Sequence, residues 1–176
     1  MSETLGVPVT PVDHAEDAMG GASDAFDAVP MAREDPAILY YTSGSTGEPK
    51  GAMHAARGLY AWRGSARYWL GLGPDDLMWC TADTGWSKAG TSILFGPWSQ
   101  GSAVLFYDGP FEAATRLELL ERYRVSVFCA AATELRRLIL EDTGGYDLSS
   151  LRLTVSAGES VNPEVLEAWT SMTGVP

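Results

Sequence analysis

Residues 42–50, TSGSTGEPK, place four hydroxyls, two glycines and an ammonium in one short loop behind the apolar pair Tyr40-Tyr41. Glycines let successive backbone N–H groups converge on one anion, and small hydroxyls add donors without bulk. Lys50 brings a full positive charge, so the composition suits the holding of a polyphosphate. A Walker loop reads G-x-x-x-x-G-K-[ST], its last hydroxyl going to magnesium. Here Pro49 precedes the lysine and Gly51 follows it, which disfavours a Walker-type NTPase. The G-x-S-x-G elbow of serine hydrolases is disfavoured by the spacing of Gly44-Ser45-Thr46-Gly47. Taken alone, a Gly/Ser loop is more often a hairpin tip than a site.

Two further clusters of small polar residues follow, DTGWSK at 83–88 and SAGES at 156–160. On residue type alone, the first is a turn whose Trp86 packs into a core. The second is a bend that Gly158 permits, with Glu159 in solvent. His14 lies in an acidic lead-in and reads as exposed. For His54, a contact with bound ligand and a place on the solvated first turn of a helix stay equally open. No His/Cys/Asp set has metal-ligand spacing, so no metal site is expected.

The elements that must position these residues alternate from Pro36 onward. Residues 37–41 form a short apolar strand. Leu59, Trp62, Ala66 and Trp69 recur at helical spacing and predict a helix over residues 54–70, stopped by Gly71, Gly73 and Pro74. Strands are expected at 77–80, 103–107, 125–129 and 151–155. Helices are expected at 87–95 (ended by Gly96-Pro97), around Ala113, Leu117 and Leu120, and at 133–140. A last helix carries Val165, Leu166, Trp169 and Met172, with Asn162 as N-cap, Pro163 at the first position and Gly174 as its stop. Nearly all-apolar strands that alternate with helices predict an α/β fold, a largely parallel sheet covered by helices. Ligands of such sheets bind beyond the carboxyl ends of the strands, and TSGSTGEPK, TADTGW, CAAAT and VSAGE fall there.

The chain has 176 residues, 45% hydrophobic and 20% charged, which suits one ordinary globular domain. Its net charge is −11. Residues 1–35 carry −7 of it, with Glu3, Asp13, Glu16, Asp17, Asp24, Asp27, Glu34 and Asp35 against Arg33. They read as a loosely ordered lead-in without sustained periodicity. An acidic chain lacking a basic patch argues against nucleic acid as partner. Cys80 and Cys129 sit in the apolar runs LMWCTA and VSVFCAA and read as buried free thiols, which favours a reducing compartment. No apolar run is long enough for a transmembrane segment, and MSETLGVPVT has neither the basic nor the apolar region of a signal peptide. Cytoplasmic localisation is the expectation.

Together these stretches carry a resemblance. YTSGSTGEPKG closely resembles the phosphate loop of the AMP-forming acyl-CoA synthetases, the adenylate-forming superfamily that includes luciferases and peptide-synthetase adenylation domains. DDLMWCTADTGWSKAG, GPWSQGSAVLFYDGPFEA and LRLTVSAGESVNPEVLEAWTSMTG resemble, in order and spacing, its acetyl-CoA and medium-chain acyl-CoA synthetase branch. The resemblance covers about residues 35–176. It implies that residues 36–176 are part of the large AMP-binding domain of such a ligase, which turns a carboxylic acid into an acyl-adenylate with ATP and passes the acyl group to CoA, as in fatty acid metabolism.

By the same resemblance, Thr42, Ser43, Gly44, Ser45, Thr46, Gly47, Glu48, Pro49 and Lys50 embrace the ATP phosphates and then pyrophosphate, Glu48 contributing least. Gly158, Glu159 and Ser160 lie along the adenine. Thr84, Gly85, Trp86 and Ser87 border the acyl pocket and the mouth where the CoA thiol arrives, although core packing remains as open for Trp86. Lys88 stands where the branch usually has a small or apolar residue, so no chain length is read from this turn.

The family continues into a Tyr-Gly-x-Thr-Glu motif whose Glu holds Mg2+ and whose Thr touches the α-phosphate. An Asp for the ribose and a mobile C-terminal lid domain with its adenylation lysine come later. None of these is found within the 176 residues, and part of the usual N-terminal portion is missing too. The expectation is a domain truncated at both ends, without catalytic residues of its own and inactive in isolation. The competing reading is a short non-catalytic protein, a nucleotide-binding remnant or interaction module.

Overall fold

The computed structural model describes residues 19–23, 25–42, 47–83, 85–86, 88, 94–142 and 144–175. The chain divides into two compact units, Met1–Met31 and Ala32–Pro176. In the first, residues 19–20 are helical and the Ala22 N–H closes a turn on the Met19 carbonyl at 3.0 Å. Most of the acidic lead-in, residues 1–18 with Asp24, lies outside the described residues, His14 included.

The second unit opens with a hairpin. β1 (Pro36–Thr42) pairs antiparallel with β2 (Lys50–Ala55), Ile38 opposite His54 and Thr42 opposite Lys50. α1 (Ala56–Gly64) follows at once and widens into a π-helical turn, Ser65–Trp69. Two expectations are corrected here. His54 belongs to β2, not to a first helical turn, because the ladder partner that makes KGAMHA a strand lies across the loop. Its ring stands edge-on to Tyr40 with centroids 5.4 Å apart. The helical phase also slips, since the Leu70 N–H reaches five residues back to the Ser65 carbonyl at 3.1 Å. Ala66 and Leu70 therefore face the core, while Trp69 is turned to solvent at 59% exposure.

β3 (Leu77–Cys80), β4 (Ala103–Leu105), β5 (Val127–Ala130) and β6 (Leu153–Ser156) form one parallel sheet in the order β4-β3-β5-β6. Most of the helix expected at 87–95 lies outside the described residues. α2 (Phe95–Trp98) contains Gly96 and Pro97 instead of ending at them, which a first turn tolerates because the missing proline N–H has no partner there anyway. α3 (Ala113–Arg122), α4 (Ala132–Leu138) and α5 (Pro163–Thr173) complete the alternation.

The sheet is buried on both faces, which explains why LMWC and VFCA are apolar without alternation. Trp79 and Phe128 point to the side covered by α3, α4 and α5, where Leu117, Leu120, Leu135, Leu138, Val165 and Trp169 meet them. Their ring stack runs from Trp79 through Phe128 to Trp169, with centroids 5.5 and 6.1 Å apart. Trp169 keeps its indole N–H satisfied on Thr154 Oγ1 at 2.9 Å. Met78, Cys80, Val127, Cys129 and Val155 point the other way, onto Ala66, Leu70 and Leu72. Within α5, Val165 and Trp169 are buried but Leu166 is 47% exposed. Asn162 stands at the N-cap without a side-chain cap bond, Pro163 opens the helix, and Gly174 ends it at φ 73°.

A polar clamp fixes the amino ends of the strands. Asp76 receives Arg152 Nε on Oδ1 and Nη2 on Oδ2, both at 2.8 Å, and Ser126 Oγ on Oδ1 at 2.7 Å. Arg152 also donates to the Gly71 carbonyl at 3.0 Å, and the Gly73 N–H donates to Asp76 Oδ2 at 2.9 Å. Burial pushes the Asp76 carboxyl up. The bonds from Arg152, Ser126 and Gly73 outweigh it and hold the group below its ordinary value.

Candidate functional site

The opposite, carboxyl ends of the strands carry the residues of interest. After β3 the chain turns through Asp83, whose Oδ1 accepts the Gly85 N–H at 2.7 Å and whose carbonyl accepts the Trp86 N–H at 3.0 Å. This Asx-type turn presents Trp86, which is 65% exposed in this chain. After β6, Gly158 adopts φ +104°, a conformation side chains rarely take. Glu159 then reaches across to α4, where Oε1 accepts the Thr133 N–H at 2.8 Å and Oε2 lies 3.9 Å from Arg136 Nη1. It is thus a carboxylate that caps α4 while still 40% exposed to solvent. Arg136 also donates to the Ser160 carbonyl at 3.4 Å.

A cavity of about 380 Å³ gathers Ala82, Trp86, Lys88, Ala131, Gly158 and Glu159 at the ends of β3, β5 and β6, with Ala157 as its seventh lining residue. Sequence-expected residues from two distant stretches thus meet around one space. Gly85 and Ser160 flank it without lining it. Thr84 and Ser87 lie outside the described residues, as do Ser43, Gly44, Ser45 and Thr46 of the loop. The described remainder of the loop shows how it is held. Thr42 and Lys50 are register partners, and Thr42 Oγ1 donates to the Lys50 carbonyl at 3.4 Å. Gly47, at φ +95°, leads through exposed Glu48 and Pro49 into β2. None of the described loop residues lines the Trp86 cavity.

Three features escaped the sequence. Lys88 Nζ lines the cavity and donates to the Ala157 carbonyl at 2.7 Å. Cys80 and Cys129, buried as expected and not joined by a disulfide, stand opposite each other on β3 and β5, which the sequence did not reveal. The Cys129 thiol draws the Cys80 thiol below its ordinary value, against burial, with help from the Ala82 N–H and the Lys88 charge. On the β4 side lies a second cavity of about 380 Å³, with Thr81, Asp83, Tyr107 and Arg116 in its wall. Arg116 is only 7% exposed, packed over the rings of Trp79, Tyr107 and Phe111 at 5.2, 4.9 and 5.6 Å and 3.5 Å from Glu134 Oε1. Glu134 in turn accepts the Thr81 hydroxyl. The only signal available was an arginine on a helix, next to Leu117, which does not say which way it points.

The family pattern described as AMP-binding enzyme matches residues 3–176. Over 163 residues the chain is 40% identical to the mitochondrial acyl-coenzyme A synthetase ACSM3 of Mus musculus, covering 91% of this chain and 28% of that protein. It is also 40% identical over 165 residues to the acetyl-coenzyme A synthetase of Cupriavidus pinatubonensis, covering 88% and 24%. Among solved structures it is similar to the anthranilate CoA ligase AuaEII in complex with anthranoyl-AMP. The TM-score is 0.79 at 33% identity, over 91% of this chain and 32% of that one. An acyl-CoA synthetase of Brucella canis gives TM-score 0.81 at 30% identity, over 97% and 31%. The chain belongs to the AMP-binding enzyme family, with the α/β fold of acyl-CoA ligases. It spans about a quarter of the length of these curated relatives. Among the described residues no helix is long and apolar enough to cross a membrane.

Proposed function

We propose that this chain supplies part of the nucleotide- and acyl-binding face of an ATP-dependent acid–thiol ligase, residues 36–176 being part of its AMP-binding domain. The observation that carries the reading is the cavity where Trp86 from the end of β3 meets Gly158 and Glu159 from the end of β6. In the reaction, a substrate carboxylate oxygen attacks the α-phosphorus of ATP and pyrophosphate leaves with the bond's electrons. The thiol of CoA then displaces AMP from the acyl carbon. Each step needs alignment and charge stabilisation more than covalent help from the protein.

The residues divide that work. Residues 42–50 enclose the β- and γ-phosphates, with Lys50 opposing the charge that collects on pyrophosphate. Gly158 brings the backbone close to a flat base, and Glu159, already held by Thr133, gives that wall a fixed edge. Trp86 offers an apolar face to the acyl group. The resemblance puts the Mg2+ ligand outside these residues, and no step is assigned to Mg2+ on this chain. We further propose that the 176 residues alone do not adenylate. The two buried thiols support a reducing compartment, which we take to be the cytoplasm. The mitochondrial location in a relative's name makes cell fractionation its check.

The test is ATP–pyrophosphate exchange with short and medium carboxylic acids, run on the longest natural polypeptide containing these residues. Exchange is expected there and not with the 176-residue chain; exchange by the latter overturns its incompetence. Lys50→Ala should slow exchange by roughly 10- to 1000-fold through lost stabilisation of the leaving group. An unchanged rate removes Lys50 from the site.

A further inference from the structure

The parallel register of β3 and β5 sets Cys80 directly opposite Cys129. Both side chains belong to the face packed on Ala66 and Leu70, in one cluster with Met78, Val127 and Val155. Parallel neighbours lie about 4.8 Å apart, inside the roughly 4.4–6.8 Å over which a disulfide joins two Cα atoms. The two thiols are not joined, and the chain has no other cysteine. Cys80 is 6% exposed and Cys129 only 2%, so an oxidant has to arrive from the Cys80 side. Cys80 ends β3 and lines the cavity of about 380 Å³ on the β4 side, which brings a small solute within reach. The hydrogen bond with Cys129 draws the Cys80 thiol below its ordinary value against burial, which enlarges its reactive thiolate fraction.

We propose that Cys80 and Cys129 form an oxidative modification site, a dithiol that a small hydroperoxide closes into a disulfide within the folded sheet. The Cys80 thiolate attacks the terminal peroxide oxygen, the O–O bond breaks, and water or an alcohol leaves with the proton. Cys80 is then a sulfenic acid. Cys129 Sγ next forms the S–S bond while the S–O bond breaks, and its proton departs with the hydroxyl as water. Two electrons have passed from the sulfurs to the peroxide, and a thiol reductant returns them. With the second thiol already opposite, closure precedes attack by another peroxide, so the sulfinic acid does not form. The bond ties β3 to β5 just before Thr81 and Ala131, which lead into the two cavities.

The 176-residue chain is treated with hydrogen peroxide in buffer without denaturant and followed by intact mass spectrometry and circular dichroism. The wild type should stay monomeric and lose about 2 Da, the two thiol hydrogens. Its spectrum should be kept, and dithiothreitol should restore the mass. Cys129→Val combined with Val127→Cys moves the second thiol one register pair along the same face. That places it roughly 8 Å from Cys80, beyond the ~7 Å that a disulfide bridges without backbone movement. The variant should close at least about tenfold more slowly. Closure at the wild-type rate overturns the proposal, as does a wild-type product that is a linked dimer, a sulfinic acid or the unreacted dithiol. A comparison that needs no variant sets native chain against chain in urea at one ratio of reduced to oxidised glutathione. The native chain should favour the disulfide at least about tenfold more; an equal or smaller preference sinks the site.

Discussion

Asp76 shows how one side chain joins local chemistry to the stability of the sheet. Burial opposes its charge, but Arg152, Ser126 and Gly73 together lower its pKa in the folded state. A depressed carboxylate contributes stability that is fully present above its unfolded value, about 3.9. That contribution is lost as pH falls from there through the folded value. Thermal melts should therefore show acid destabilisation opening below about pH 4. Asp76→Asn should lower the melting temperature at neutral pH and flatten the curve in that window. An undiminished acid slope in the variant would assign the effect to other carboxylates. The residues of the clamp are individually plain in the sequence, yet Asp76 and Arg152 lie 76 positions apart and only the parallel pairing of β3, β5 and β6 brings them together.

Between elements, Arg116 of α3 and Glu134 of α4 form a largely buried pair at the edge of the sheet. Removing one partner strands the other charge. Glu134→Ala should cost about 3–5 kcal/mol, measured by urea denaturation. Replacing both residues with apolar ones of similar size, Arg116→Met with Glu134→Leu, should cost less than the single change. A double variant no better than the single would place the energy in the ring packing around Arg116 instead. The π-helical turn is the clearest element-scale departure from the sequence pattern. Leu59, Trp62, Ala66 and Trp69 keep helical spacing, but one five-residue hydrogen bond rotates the end of the helix and exchanges Leu70 for Trp69 at the core. Side-chain period cannot reveal that, because the backbone widens to fit the sheet face it lies on.

For the whole molecule, the order β4-β3-β5-β6 leaves β4 and β6 with no second strand partner among the described residues. The hairpin exposes Leu39, Tyr41 and Met53 at 53%, 69% and 63%. Unpaired edges and apolar hairpin faces promote association. The 176-residue chain should self-associate as concentration rises, seen as growing mass in light scattering. A concentration-independent monomer with a sharp, reversible melt would contradict this.

The four strands of the parallel sheet and the helices packed on it were legible in the sequence because buried parallel strands and amphipathic helices each impose their own apolar period, whereas the β1-β2 hairpin, whose second strand Lys50–Ala55 carries no such period, was not. Gly47 and Gly158, glycines in the sequence pattern, do stand at positive φ, since that conformation leaves a compositional trace. What the sequence could not contain was distance. That Glu159 caps α4, that Cys80 faces Cys129, and that Lys88 stands in the cavity shared by Trp86 and Gly158 follow from strands pairing across long separations. Local periodicity records which side of an element is buried; only the packed sheet decides what meets there.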